Sequence, residues 1–366
     1  RSAHGAGPDG LTLLVCVTAL NAGAGVFGAV APASALGKTI YYCATGEFLL
    51  LLVGYGLRRQ GSVELILGLG LVACSVVGVV GLLELTGISA YFREIAFSLE
   101  NPAMAAFSGI SDRPVATIGN PLPLGAYLSL CVPLFLWQIA YGSHRGARLL
   151  CASGLALVAV LLVFTTSRGA WIAGVVGVAY YFGAHRARFT MPLLLAVLIA
   201  LAVFRDAAPF QIKNPYTQLV ENYETYHRSV SVAYATAIWS IDPLFGVGLG
   251  NYRHWAKPMG SRIDSPDNMY LMTLAESGFV GLALRVGILS LLLLALRECQ
   301  NPSLSESGKP TVARDRALSR AFSASMVGAC VNMWTWDVLY FPVTRGVFWL
   351  FAGLAIAHVR HCKGID

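Results

Sequence analysis

Charge is what this sequence has least of: Asp, Glu, Lys and Arg make up 12% of its 366 residues, against about 25% in a soluble domain. Together with 56% hydrophobic residues and a mean hydropathy of +0.64, that shortage excludes an ordinary soluble protein. Cysteine spacing of a disulfide framework or a metal site is also missing. Cys16, Cys43, Cys74, Cys131, Cys151, Cys299, Cys330 and Cys362 are scattered within or beside apolar runs, as small buried hydrophobes would be. There is no histidine cluster and no Asp-x-Asp pair, so neither a metal nor a nucleotide cofactor is expected. The basic residues behind the net charge of +7 are dispersed over loops rather than gathered into a stripe, so no nucleic acid partner is expected. No internal repeat of 20 to 50 residues is visible, and the one hydrophilic linker is Glu298 to Lys309.

What the sequence has instead is apolar runs, at about 11–31, 35–57, 63–83, 121–141, 149–166, 170–183, 190–204, 267–296, 317–338 and 341–358. Runs of that length exclude a membrane β-barrel, whose strands alternate over about ten residues. The expected fold is an all-α polytopic membrane protein of about ten helices in a single transmembrane domain, 1–366. The chain opens at Arg1 rather than Met, which leaves room for an even number of further helices upstream. With a cytoplasmic N-terminus, every short basic loop falls on one side: Arg58-Arg59, His144 to Arg148, Arg186 with Arg188, Arg297 to Arg320, and Arg360 to Lys363. Two long segments, 84–120 and 205–266, then lie outside. The second is rich in Tyr and Trp; its residues 217–241 lack Gly and Pro and can be helical up to Asp242-Pro243. The glycines of Phe245 to Tyr252 read as a tight turn. They lack the strand and third glycine of a dinucleotide fingerprint.

Three sets of charges call for an account. Arg168, in Thr165 to Trp171, joins two helices too short to reach the outer surface, so its guanidinium sits at or below headgroup level. Ser167 and Gly169 are expected to make the sharp turn, and the helix start adds positive potential. Arg168 then either binds an anion or snorkels to lipid phosphate, with Trp171 either at that site or in the aromatic belt. Arg228 follows His227 on the outer helix, and Arg253, Lys257 and Arg262 lie beyond the glycine turn. They make an outer loop basic against the usual bias, which suits a phosphate or pyrophosphate. Third, Ser265 is expected to cap the next helix with Pro266 at its first position. Asp267 would then stand in the first turn, held there by the helix dipole or serving as a general base. Glu276 is expected on the opposite face of that helix. Lys38, Glu47, Asp337 and Arg345 are further charges within or near apolar segments.

In this order, Thr166 to Trp171, Arg228 with Pro243 to Tyr252, Asp267 to Leu271 and Ala275 to Gly278 make the chain resemble the bacterial O-antigen ligase and polysaccharide polymerase superfamily. Gly119-Asn120-Pro121 resembles its Asn-Pro helix start, so the likeness runs over about 115–285. One departure is that Asp267 stands where the ligases typically have histidine. The resemblance implies a bundle of the kind called GT-C, with 205–266 as a large periplasmic loop, in a bacterial inner membrane. It implies a metal-independent, inverting glycosyltransferase with an undecaprenyl diphosphate-linked oligosaccharide as donor. The acceptor would be a second lipid-linked glycan, as in a polymerase, or lipid A core, as in a ligase. Arg168 and Arg228 would hold the diphosphate and Asp267 would deprotonate the acceptor. Asn268, Tyr270, Ser167, His227, Arg253 and Trp171 would contact substrate. Membrane lipids and a chain-length-regulating co-polymerase are the expected partners. A flippase that moves the same lipid without chemistry is the rival reading; the charges gather at outer helix ends rather than at the midplane of repeated halves.

Overall fold

The computed structural model describes residues 8–85, 114–183, 230–261, 265–300 and 310–365, and all regular structure among them is helical. The helices are α1 (Pro8–Ala24), α2 (Pro32–Thr45), α3 (Glu47–Gly56), α4 (Gln60–Leu85), α5 (Pro121–Tyr141), α6 (Arg145–Phe164), α7 (168–183), α8 (Val230–Trp239), α9 (Tyr252–Ala256), α10 (Met269–Glu298), α11 (Pro310–Thr335) and α12 (Pro342–Lys363). Each expected apolar run that falls among these residues is helical, with ends shifted by up to seven residues, and the run expected at 35–57 is divided at Gly46 into α2 and α3. The run at 190–204 lies outside the described residues. Six stretches are long and apolar enough to cross a membrane: α2 with α3, α4, α5, α6, α10 and α12.

The described residues fall into two compact units. The larger holds 49–85, 114–183, 292–300, 310–332 and 338–365. Its core helices, α5 and α12, are buried over 78% and 72% of their most apolar windows, whereas α4 and α6 bury 28% and 17%. On α4 one stripe, Val63, Leu67, Leu71 and Cys74, is buried, while Leu65, Leu69, Val72, Val76, Val79 and Leu83 are exposed. An exposed stripe this apolar is the face that lipid covers. Small residues let the helices close up: a Cβ on Gly78 would touch Leu157, and one on Gly154 would meet Ser75 and Phe135. Arg345 is buried at the start of α12 and donates to the Leu339 carbonyl at 3.1 Å.

The smaller unit holds 8–48, 230–261, 265–291 and 333–337. Its α1 lies along α10, where a Cβ on Gly287 would meet Leu14 and one on Gly281 would meet Asn21 and Ser277. The defining feature is a break in α10. Gly278 has φ 63° and ψ −169°, a conformation reserved for glycine, and the connection Pro243–Gly250 lies against the break. Val247 and Gly248 donate their amides to the carbonyls of Ala275 and Glu276, while Phe279 and Val280 donate to Pro243 and Leu244, all at 2.9–3.1 Å. Four backbone groups of α10 at the break, two amides and two carbonyls, are thereby paired, as an apolar environment favours. The approach is so close that a Cβ on Gly246 or Gly278 would collide with the backbone opposite.

Candidate functional site

The expected site residues among those described fall into two groups that belong to different units. In the larger unit, α6 ends at Phe164 and α7 begins at Arg168. The residue that makes the sharp turn is neither Ser167 nor Gly169 but Thr166, at φ 50°. Gly169 is already helical. Thr165 supplies the reason: its amide continues the α6 ladder to Leu161 and its hydroxyl donates to Leu162, so the chain reverses at the following residue. Ser167 is buried and its amide donates to the Thr165 hydroxyl oxygen at 3.4 Å. The Trp171 indole folds back over the turn and donates to the Leu162 carbonyl at 2.6 Å. Gly125 of α5 allows the close approach, since a Cβ there would stand 2.8 Å from that of Ala170. Arg168 is exposed at the N-terminal end of α7, where side-chain and helix-terminal charge add. The neighbouring Asn-Pro segment is ordered as expected: the Asn120 side chain accepts from the Leu122 amide at 2.9 Å and Pro121 opens α5. Just before it, Val115 and Ala116 donate their amides to the Glu84 carboxylate.

In the smaller unit, the helix that was expected to start at Ser265-Pro266 starts three residues later. Asn268 is the cap, accepting from the amides of Tyr270 and Leu271 at 3.0 and 3.1 Å. The Asn268 amide group also donates to the Trp334 carbonyl at 2.9 Å, which fixes the choice of cap by a tertiary contact. Asp267 therefore stands outside the helix, half-buried, with left-handed backbone at φ 50°. Short polar side chains tolerate that conformation. The Tyr270 ring packs on Trp334 with centroids 6.1 Å apart. Arg253 is half-buried on the short α9. Arg228 and His227 lie outside the described residues.

Glu276, expected on the far face of a straight helix, is buried just before the break. There its carboxylate accepts from the Tyr252 amide at 3.2 Å and so holds the start of α9. Lys38 and Arg285 are the cations that act on it, and Arg285 also donates to the Thr273 hydroxyl at 3.1 Å. A cavity of about 10 Å³, room for roughly one water, lies beside them between Asn21, Cys43, Glu47, Ser277 and Arg285.

Sequence reasoning noted Asp337 as a charge but did not make it a site residue. It sits in the connection after α11, with no exposure and, among the described residues, no hydrogen bond to either carboxylate oxygen. Burial, reinforced by the Asp267 carboxylate, pushes its carboxyl up to about 7. The Ser265 hydroxyl is near enough to favour the charged form without reaching hydrogen-bond geometry. Tyr252, also buried, has a phenol oxygen without a partner. Burial and then the Asp267, Glu276, Tyr234 and Asp337 groups push that phenol up. The signal available in the sequence was a lone acid at the end of the apolar run 317–338.

The described helices define a polytopic α-helical membrane protein. Residues 152–286 match the family described as O-antigen ligase. The match supports a likeness of this segment to the O-antigen ligase and polymerase superfamily and, in general terms, a glycan-joining enzyme. It takes in the Thr166–Trp171 turn, the glycine connection, Asp267 and the break at Gly278. Asn120 and Asp337 lie beyond it. No curated protein matches the chain.

Proposed function

We propose that the chain is a glycosyltransferase of the bacterial inner membrane that elongates a polysaccharide on the periplasmic side. It uses an undecaprenyl diphosphate-linked oligosaccharide as donor and a second lipid-linked glycan as acceptor. The observation that carries this reading is the family match over 152–286, which contains in one segment an arginine at a helix start and an acid beside a helix cap. In the proposed step the acceptor hydroxyl attacks the anomeric carbon and the bond from that carbon to the diphosphate oxygen breaks. The diphosphate leaves with the bonding electrons, and the hydroxyl proton passes to Asp267. Arg168 and Arg228 bind the diphosphate and stabilise the charge that develops on it. Arg253, His227, Ser167, Trp171, Asn268 and Tyr270 bind or position substrate. Attack opposite the leaving group inverts the anomeric centre. The donor is already activated by its diphosphate, so the step needs no metal. A chain-length-regulating co-polymerase is the proposed partner.

The matched family's description favours a second reading, in which the same chemistry transfers the glycan to lipid A core. The two differ only in acceptor. The deciding assay uses purified protein in detergent, with lipid diphosphate-linked oligosaccharide and EDTA throughout. Wild type should lengthen the lipid-linked glycan, and Arg168→Ala and Asp267→Asn should each slow it by about 100-fold or more. Asp267→His should retain activity, because imidazole can do the same proton chemistry. Product on lipid A core alone selects the ligase. Translocation of the lipid in liposomes with no glycan transfer to any acceptor overturns both readings in favour of a flippase.

A further inference from the structure

All seven tryptophans of the chain lie among the described residues, and six of them are buried or half-buried. Trp334, in the last turn of α11, is the exception: it is 69% exposed. Its backbone is nevertheless held. The Asn268 side-chain amide donates to the Trp334 carbonyl at 2.9 Å, while the Asn268 side-chain oxygen accepts from the Tyr270 and Leu271 amides that open α10. One side chain thus clamps the end of α11 to the start of α10. Across that clamp the half-buried Tyr270 ring meets the Trp334 indole, with centroids 6.1 Å apart and planes inclined by 51°. Asp267, the proposed base, is the neighbour of Asn268 in the chain and keeps part of its surface open. A held, accessible pair of aromatic rings therefore stands beside the acid, and every residue concerned belongs to the smaller unit.

An exposed tryptophan at a helix end is what an aromatic belt provides, and lipid would then cover it. Its neighbours argue for a different occupant. Acyl chains over Trp334 would bring hydrocarbon against the Asp267 carboxylate and the Asn268 amide, whose open surface would lose its hydration at a cost. A phosphate is repelled by Asp267 and gains nothing from either ring. A glycan satisfies both kinds of surface. The face of an aromatic ring is the negative part of its quadrupole, and a pyranose face presents C–H bonds made positive by the oxygens they neighbour. The hydroxyls at the rim of the same sugar are donors for a carboxylate. We propose that Trp334, with Tyr270 as its side wall, is a stacking platform for a sugar ring of the acceptor glycan and turns a hydroxyl of that sugar toward Asp267. The inference rests on the glycosyltransferase reading and deepens it. The platform binds and orients the acceptor without taking its proton.

The test separates the platform from the reading beneath it. In the elongation assay, Trp334→Ala should raise the acceptor KM by about tenfold with kcat within about threefold, and Trp334→Phe, which keeps an aromatic face, should stay within about threefold of wild type in both. Trp334→Leu should behave as the alanine variant, because an apolar side chain without a ring face cannot replace the indole. Leucine as good as tryptophan marks a lipid anchor and overturns the platform. The indole is exposed, so its removal should cost little Tm, and the change in KM then reads binding rather than folding. In parallel, methyl glycosides of glucose, galactose, rhamnose and N-acetylglucosamine are titrated into purified protein by saturation-transfer NMR. At least one should bind wild type and Trp334→Phe and bind Trp334→Ala more weakly. The protein is also placed in vesicles of brominated phosphatidylcholine. The Trp334 fluorescence, taken as wild type less Trp334→Phe, should survive there; strong quenching puts acyl chains on the ring and overturns the proposal. Elongation with unchanged acceptor KM in the alanine variant overturns the platform and leaves the transferase reading intact. Glycoside binding that Trp334→Ala weakens, with no transfer by wild type to any acceptor, overturns the transferase reading and leaves the platform. If Trp334→Ala does not fold, Trp334→Leu decides alone, and an unchanged KM in it overturns the proposal.

Discussion

Three residues other than glycine adopt left-handed backbone among the described residues: Ala116, Thr166 and Asp267. Thr166 and Asp267 stand two residues outside the end of a long helix, and Ala116 opens a three-residue 3-10 turn. For a β-branched side chain this conformation is costly, on the order of 1 kcal/mol or more. Thr166 is exposed, so no burial offsets its strain. Thr166→Asn should therefore raise Tm without moving Arg168, and activity should be kept; a lower Tm would mean that the hydroxyl or methyl carries a role of its own. Asp337 has a different signature. Its folded-state pKa, about 7, is raised above the ordinary 3.8, so the folded protein binds a proton that the unfolded chain releases. The stability linked to it is present below about pH 4 and is lost as pH rises through about 7. Asp337→Asn should accordingly be more stable than wild type at pH 8, by up to about a few kcal/mol and read as a higher Tm, and close to wild type at pH 4. Scanning both proteins at both pH values checks the sign.

At the scale of elements, the break in α10 ties chemistry to packing. Gly278→Ala places a Cβ against the Leu244 carbonyl and forces a backbone geometry that alanine resists. The expected cost is about 2–4 kcal/mol, read as a lower Tm, with loss of elongation because α9 and Tyr252 hang on the same exchange. Helix positions were legible from apolar period and length: Pro121 to Tyr141 was placed to the residue. The cap was not, because Ser265-Pro266 and Asn268 are both good local starts. What decides between them is the Trp334 carbonyl 66 positions away, which bonds Asn268. The turn at Thr166 escaped for a related reason. Residue type points to Ser167 or Gly169, while hydrogen bonds from Thr165 choose the position. The nine-residue count that sets Glu276 on the face opposite Asp267 does not apply, because Asp267 stands outside the helix, which begins at Met269.

For the whole molecule, the shortage of charge was enough to read a membrane protein, and the exposed apolar stripe on α4 shows where lipid replaces packing. The motif segments were legible because their residue types are chemically restrictive. Asp337 was not, since a single acid carries no pattern until the fold buries it. Orientation can be checked directly. In a cysteine-free background, Lys257→Cys should react with a membrane-impermeant maleimide in intact cells and Arg145→Cys only after lysis; the reverse pattern would invert the topology. The break in α10 also bears on how the protein is made. Residues 269–298 are apolar enough to enter the membrane as one uninterrupted rod, and a lone rod has no reason to break, since each unmatched amide would cost several kcal/mol in hydrocarbon. The expected order is therefore insertion first and the kink second, when residues 243–248, synthesised just before it, fold back and trade hydrogen bonds. Insertion and maturation become separate events. Gly246→Val should accordingly yield a chain that is correctly inserted by maleimide mapping and enzymatically silent.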